Sequence, residues 1–143
     1  LSCRLEWMTI RENWKSPRLL WRKLSFLLPN ALAREGKARW GSVDGDSLID
    51  EGLPQYLLSL FERELSYDEM KAVVARLPKY DRLFFIDTPE HVRADRLSKR
   101  NRKPRVVFGE SYIEQWMSLL STNANVMSDA YRNLATVEHI KHA

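Results

Sequence analysis

The sequence predicts an α/β protein with a parallel sheet covered by helices on both faces. Three observations carry this. Residues 83–86 (Leu-Phe-Phe-Ile) are a short apolar run without alternation, as in a strand buried on both faces. Residues 136–140 begin a second such segment, and 47–49 (Ser-Leu-Ile) look like a third. Helical patterns separate them, and strands alternating with helices argue for βαβ units. At 143 residues the chain is expected to form one domain, residues 1–143, large enough to bury about two-thirds of its unfolded surface.

Taken in order, residues 1–15 carry no assignable period. Trp7, Trp14 and Trp21, seven apart, read as core or subdomain-packing aromatics, with a base-stacking surface as the alternative. Ser16-Pro17 starts a helix, Ser as N-cap and Pro at the first position. Leu20, Leu24, Leu27, Leu28, Ala31 and Leu32 then recur at helical spacing. Pro29 is expected to kink or restart that helix near Phe26, and Gly36 to end it. Arg18, Arg22 and Lys23 fall on or near its wetter side. Residues 39–46 form a polar turn before the short strand at 47–49. Leu53, Tyr56, Leu57, Leu60 and Phe61 make the apolar stripe of a further helix. Ser66 followed by Glu69 is a capping box opening a helix that runs to about Leu77 and closes at Pro78. After the strand at 83–86, Pro89 and Glu90 suit a helix's first turn. Residues 109–134 are mostly one long helix.

Composition bounds the function. The chain is 44% hydrophobic and 29% charged, with no apolar run near the length of a membrane span. Cys3 is the only cysteine, so no internal disulfide exists, and cytoplasmic residence is expected. The net charge of +4 mildly favours phosphate-bearing ligands. Leu1 and the strand-like ending Val137-Glu138-His139-Ile140 suggest a piece of a longer polypeptide.

Two groups can carry chemistry. Asp50 and Glu51, at the end of the expected strand and before Gly52, suit a water-bridged Mg²⁺ or the proton of an attacking hydroxyl; a charged turn capping the next helix fits them equally. Arg93, Arg96, Lys99, Arg100, Arg102, Lys103 and Arg105 follow the strand at 83–86 and so emerge at the sheet's carboxyl edge, where open α/β sheets bind ligands. Arginine's planar fork suits phosphoryl oxygens, whereas the bland reading is a solvated basic face. Asp87 reads as a helix cap, with metal or a ribose hydroxyl as the alternative. His91, His139 and His142 show no ligand spacing, there is no Gly-x-Ser-x-Gly, and Cys3 has no visible catalytic partner.

Together, Asp50-Glu51, the strand Phe84-Phe85-Ile86-Asp87-Thr88-Pro89 and the helix ending Arg96-x-x-Lys99-Arg100 resemble the C-terminal two-thirds of P-loop kinases of the thymidylate kinase and deoxynucleoside kinase type, over residues 47–140. The resemblance implies a three-layer P-loop sheet with helices on both faces and an Arg-rich lid, residues 93–110. It implies ATP and Mg²⁺ as cofactors, and a nucleoside or nucleotide as small-molecule acceptor. Asp50 and Glu51 would serve metal and acceptor, Arg96 and Arg100 catalysis, Arg102, Lys103 and Arg105 the phosphates, and Arg18 and Arg22 the acceptor, under a helical region at 17–36. A homodimer is compatible with it; membrane attachment is not expected. The family's Gly-x-x-x-x-Gly-Lys loop is absent from this chain and is expected upstream. The alternative is a non-catalytic nucleotide- or nucleic-acid-binding module using the basic patch 93–105. The patch lacks interleaved aromatics for base stacking, which disfavours nucleic acid.

Overall fold

The computed structural model describes residues 2–41, 47–49, 52–99 and 109–141. The elements run α1 (Ser2–Asn13), α2 (Pro17–Arg22), a π-helical turn (Lys23–Leu27), α3 (Leu28–Gly41), α4 (Leu53–Leu60), α5 (Tyr67–Val74), β1 (Arg82–Asp87), α6 (Glu90–Lys99), α7 (Glu110–Tyr131) and β2 (Thr136–Lys141). The chain forms two compact units, Leu1–Leu65 with Val73–Leu77 and Ser66–Ala72 with Pro78–Ala143.

The expected three-layer α/β sheet is not what the described residues form: they are mainly helical, with one parallel sheet of two strands. Ser47-Leu48-Ile49 is not a strand, and Leu48 is 85% exposed. Three residues without a ladder partner bury too little to hold an extended conformation.

In the first unit, α4 carries the densest apolar stripe. Leu53, Tyr56, Leu57 and Leu60 are all buried, as their spacing of three and four predicts, and Phe61 beyond the helix is buried with them. The N-cap, Gly52, has no side chain to offer, so the carboxylate of Glu35 on α3 accepts the backbone N–H of Leu53 at 3.2 Å. Space favours glycine there, since any side chain would push Ile49 and Glu35 aside. A Cβ at residue 52 would lie 2.8 Å from Ile49 Cγ2 and 2.9 Å from Glu35 Oε1.

Pro29 disturbs the second helical segment as expected, but it does so by widening rather than breaking it. Proline supplies no N–H to the carbonyl four residues back, and its ring crowds that carbonyl. The preceding turn opens into a π-helix, with Leu28 N–H donating to Lys23 C=O. The helix then continues through Gly36, which is therefore not its end, to Gly41.

Lys23 is the main correction in this unit. Placed on the wetter side by periodicity, it is fully buried. Its ammonium donates to Asn13 Oδ1 at 2.6 Å, Leu60 C=O at 2.9 Å and Glu62 Oε1 at 2.6 Å. An ammonium has three donors, and these are three acceptors. Asn13 Nδ2 in turn reaches Thr9 C=O and Leu60 C=O, and Thr9 Oγ1 bonds Leu5 C=O and the Tyr56 hydroxyl. The expectation of core tryptophans also fails: Trp7, Trp14 and Trp21 are 65%, 64% and 70% exposed. Leu5, Met8 and Thr9 take the inward face of α1 instead.

In the second unit, the capping box forms as predicted. Ser66 N–H donates to Glu69 Oε2 at 2.9 Å, and Glu69 N–H returns a bond to Ser66 Oγ at 3.3 Å. Strands β1 and β2 pair in parallel, Phe85 opposite His139 and Asp87 opposite Lys141. The two strands are joined through α6 and α7, so the predicted βαβ order holds locally. Burial on both faces does not. Arg82, Phe84, Ile86, Thr136, Glu138 and Ile140 share one face by the period of two, and every one is exposed. Leu83, Phe85 and Val137 on the other face are half-buried. Helix α7 packs against β2 on that second face, and nothing among the described residues covers the first.

Candidate functional site

The paired strands put three polar side chains in a line. Phe85 and Asp87 lie on one face of β1, and His139 opposite Phe85 shares that face. The His139 ring stacks on Phe85, centroids 5.5 Å apart and planes at 18°, which fixes its tilt. Its Nδ1 lies 3.0 Å from Asp87 Oδ2. Its Nε2 lies 2.8 Å from Oγ of Ser128, which α7 brings in one turn before the helix ends. An ionised carboxylate only accepts, so the tautomer with its proton on Nδ1 satisfies Asp87 and leaves Nε2 to accept the Ser128 hydroxyl. Asp87 was expected to cap α6; its Oδ2 instead meets His139. Ser128 is buried, whereas Asp87 and His139 are exposed.

This line borders a depression of about 240 Å³ lined by Asn125, Ser128, Asp129, Arg132 and His139. Arg132 Nη2 pairs with Asp129 Oδ1 at 3.2 Å, both partners exposed. Asn125 precedes Ser128 by three residues and so shares its face of α7. Its side-chain amide has no hydrogen bond among the described residues.

A second feature is the basic helix. Arg93 on α6 is half-buried, and Nη2 donates to Ser121 Oγ on α7 at 2.7 Å. Its Nε is buried with no hydrogen-bond partner among the described residues. The guanidinium therefore meets a neutral hydroxyl and no carboxylate there. Lys99, by contrast, is tied to Asp95 at 2.8 Å in an exposed i,i+4 pair. Arg96 is exposed.

Most of the residues that the sequence singled out lie elsewhere. Asp50, Glu51, Arg100, Arg102, Lys103 and Arg105 lie outside the described residues. Arg18 is exposed and Arg22 half-buried on α2, in the first unit, while Arg96 belongs to the second. Among the described residues no three His, Cys, Asp or Glu side chains gather as metal ligands, and no helix is long and apolar enough to cross a membrane. His139 and Ser128 escaped the sequence reading because 52 residues separate Asp87 from His139. Only strand register brings them together. The available signal was the pairing of two strands of six residues, each with a polar residue after its apolar positions.

Compared with protein-family models, curated proteins and solved structures, the chain finds no match.

Proposed function

We propose that this chain is a phosphotransferase that moves the γ-phosphoryl group of ATP to a small acceptor, a nucleoside or nucleotide first among the candidates. The observation that carries the reading is Arg93. A half-buried guanidinium whose charge meets only a hydroxyl among the described residues is a preformed anion site, because burial strengthens its attraction for phosphate. Two further features support it. β1 and β2 are adjacent and parallel, so Asp87, Thr88 and the start of α6 emerge at the carboxyl edge, where open parallel sheets bind ligands. Arg96 adds a second cation to α6, and Arg100, Arg102, Lys103 and Arg105 follow in the chain.

Mg²⁺ belongs to this reading as the partner of the ATP phosphates, and Asp50 and Glu51 are the carboxylates assigned to it. The protein's own contribution is charge: arginines set against the equatorial oxygens stabilise the transferring group.

Incubation of the full chain with γ-labelled ATP, Mg²⁺ and a panel of nucleosides and nucleoside monophosphates tests the proposal. Labelled acceptor supports it. No transfer, with salt-dependent binding of DNA or RNA, would instead favour a binding module built on the basic patch 93–105.

A further inference from the structure

The geometry points to a second centre, independent of phosphoryl transfer: Ser128, His139 and Asp87 form a nucleophile–base–orienter chain competent for acyl transfer to water from a short ester. It shares only Asp87, at the sheet edge, with the phosphotransferase reading, which is carried by Arg93, so each can fail alone.

Both hydrogen bonds are within the range that such a chain needs, 2.8 Å from Ser128 Oγ to His139 Nε2 and 3.0 Å from His139 Nδ1 to Asp87 Oδ2. The two bonds use opposite ring nitrogens. Asp87 thus selects the tautomer in which Nε2 can take the serine proton, and Phe85 holds the ring in that plane. The serine ends at a depression rather than in packed core, and about 240 Å³ corresponds to roughly eight water volumes, room for an acyl group of a few carbons. Asn125, on the same face of α7 and lining the same depression, offers an amide donor to the oxyanion.

The steps balance. Ser128 Oγ forms a bond to the ester carbonyl carbon while its proton passes to Nε2. The carbon–alkoxy bond then breaks, and the departing alcohol takes that proton. Water attacks the acyl-serine, giving a proton to Nε2. The acid leaves as the serine oxygen recovers the proton. Asp87 stays ionised throughout, opposite the transient imidazolium.

The bland reading is that the three groups merely tie β1, β2 and α7 together. A fluorophosphonate probe separates the two, because phosphorus captures only an activated serine, with fluoride as leaving group. The full chain is treated with the probe and examined by intact mass and peptide mapping. The proposal expects one adduct per chain on Ser128, absent in Ser128→Ala. It also expects labelling to slow by about a hundredfold or more in Asp87→Asn, where the amide N–H can donate to Nδ1 and so put the ring proton on Nε2, the tautomer that cannot take the serine proton. No adduct on the folded chain, an adduct elsewhere, or the same adduct in Ser128→Ala overturns it. Should Ser128→Ala fail to fold, the Asp87→Asn rate decides: an unchanged rate overturns the proposal.

Discussion

Each unit holds a polar cluster, and the two are built to opposite ends. In the first, Lys23 spends three donors on three acceptors, Asn13, Thr9 and Tyr56 extend a buried network, and only Glu62 reaches partly to the surface. In the second, a carboxylate, an imidazole and a hydroxyl form a line with exposed groups at one end and a depression beside the other. Arg93 nearby in sequence keeps an unsatisfied donor. A saturated cluster has no capacity left for a ligand and serves stability; an unsaturated one leaves donors and charge for something else. The first cluster is thus spent on holding the fold, whereas the second keeps donors unspent.

The largest effect that sharpens this contrast is expected at Lys23. Lys23→Met keeps the stem but removes the donor to Asn13 Oδ1 and the charge facing the Glu62 carboxylate, while Leu60 C=O keeps Asn13 Nδ2, which costs about 3–5 kcal/mol in urea unfolding. A cost under about 1 kcal/mol would break the contrast, since the cluster would then not be structural. Next comes Tyr56, whose hydroxyl is pushed up from 10.0 to about 12, chiefly by burial, against the lowering effect of Thr9. Because the unfolded chain gives up this proton first, the folded state holds more protons between pH 10 and 12. Stability is therefore full below pH 10 and falls as pH rises, by about 3 kcal/mol at most. Tyr56→Phe should flatten this alkaline decline, measured as Tm against pH.

Gly52→Ala is expected to cost about 1–3 kcal/mol, because its methyl meets Ile49 and the Glu35 carboxylate that caps α4. The smallest effect belongs to the second cluster. Ser128→Ala should cost only about 1 kcal/mol, one hydrogen bond to an exposed imidazole. A loss as large as that at Lys23 would make both clusters structural and erase the distinction.

What could be read from the sequence was what local chemistry decides. The stripe of α4, the Ser66–Glu69 box, the long α7 and the parallel order of β1 and β2 depend on spacing and on near neighbours. What could not be read was decided by partners far along the chain. Lys23 looked solvated because nothing near it signals the acceptors at Leu60 and Glu62. The apolar run at 83–86 looked doubly buried because covered and uncovered sheet faces differ only in what packs on them. Leu48 failed as a strand for want of a neighbour, and the tryptophans looked like core because their spacing of seven puts large apolar rings along one helical face, which spacing alone cannot tell from an exposed face.

Arg93, which meets a hydroxyl and no carboxylate among the described residues, is the cation proposed to hold phosphate. Calorimetric titration of ATP·Mg²⁺ into the full chain and into Arg93→Gln tests it most directly. Saturable binding to the wild-type chain is expected, weakened about tenfold or more in Arg93→Gln by the loss of one charge-assisted contact, with Tm within a few degrees. No binding by the wild-type chain, or equal binding by both, would contradict it.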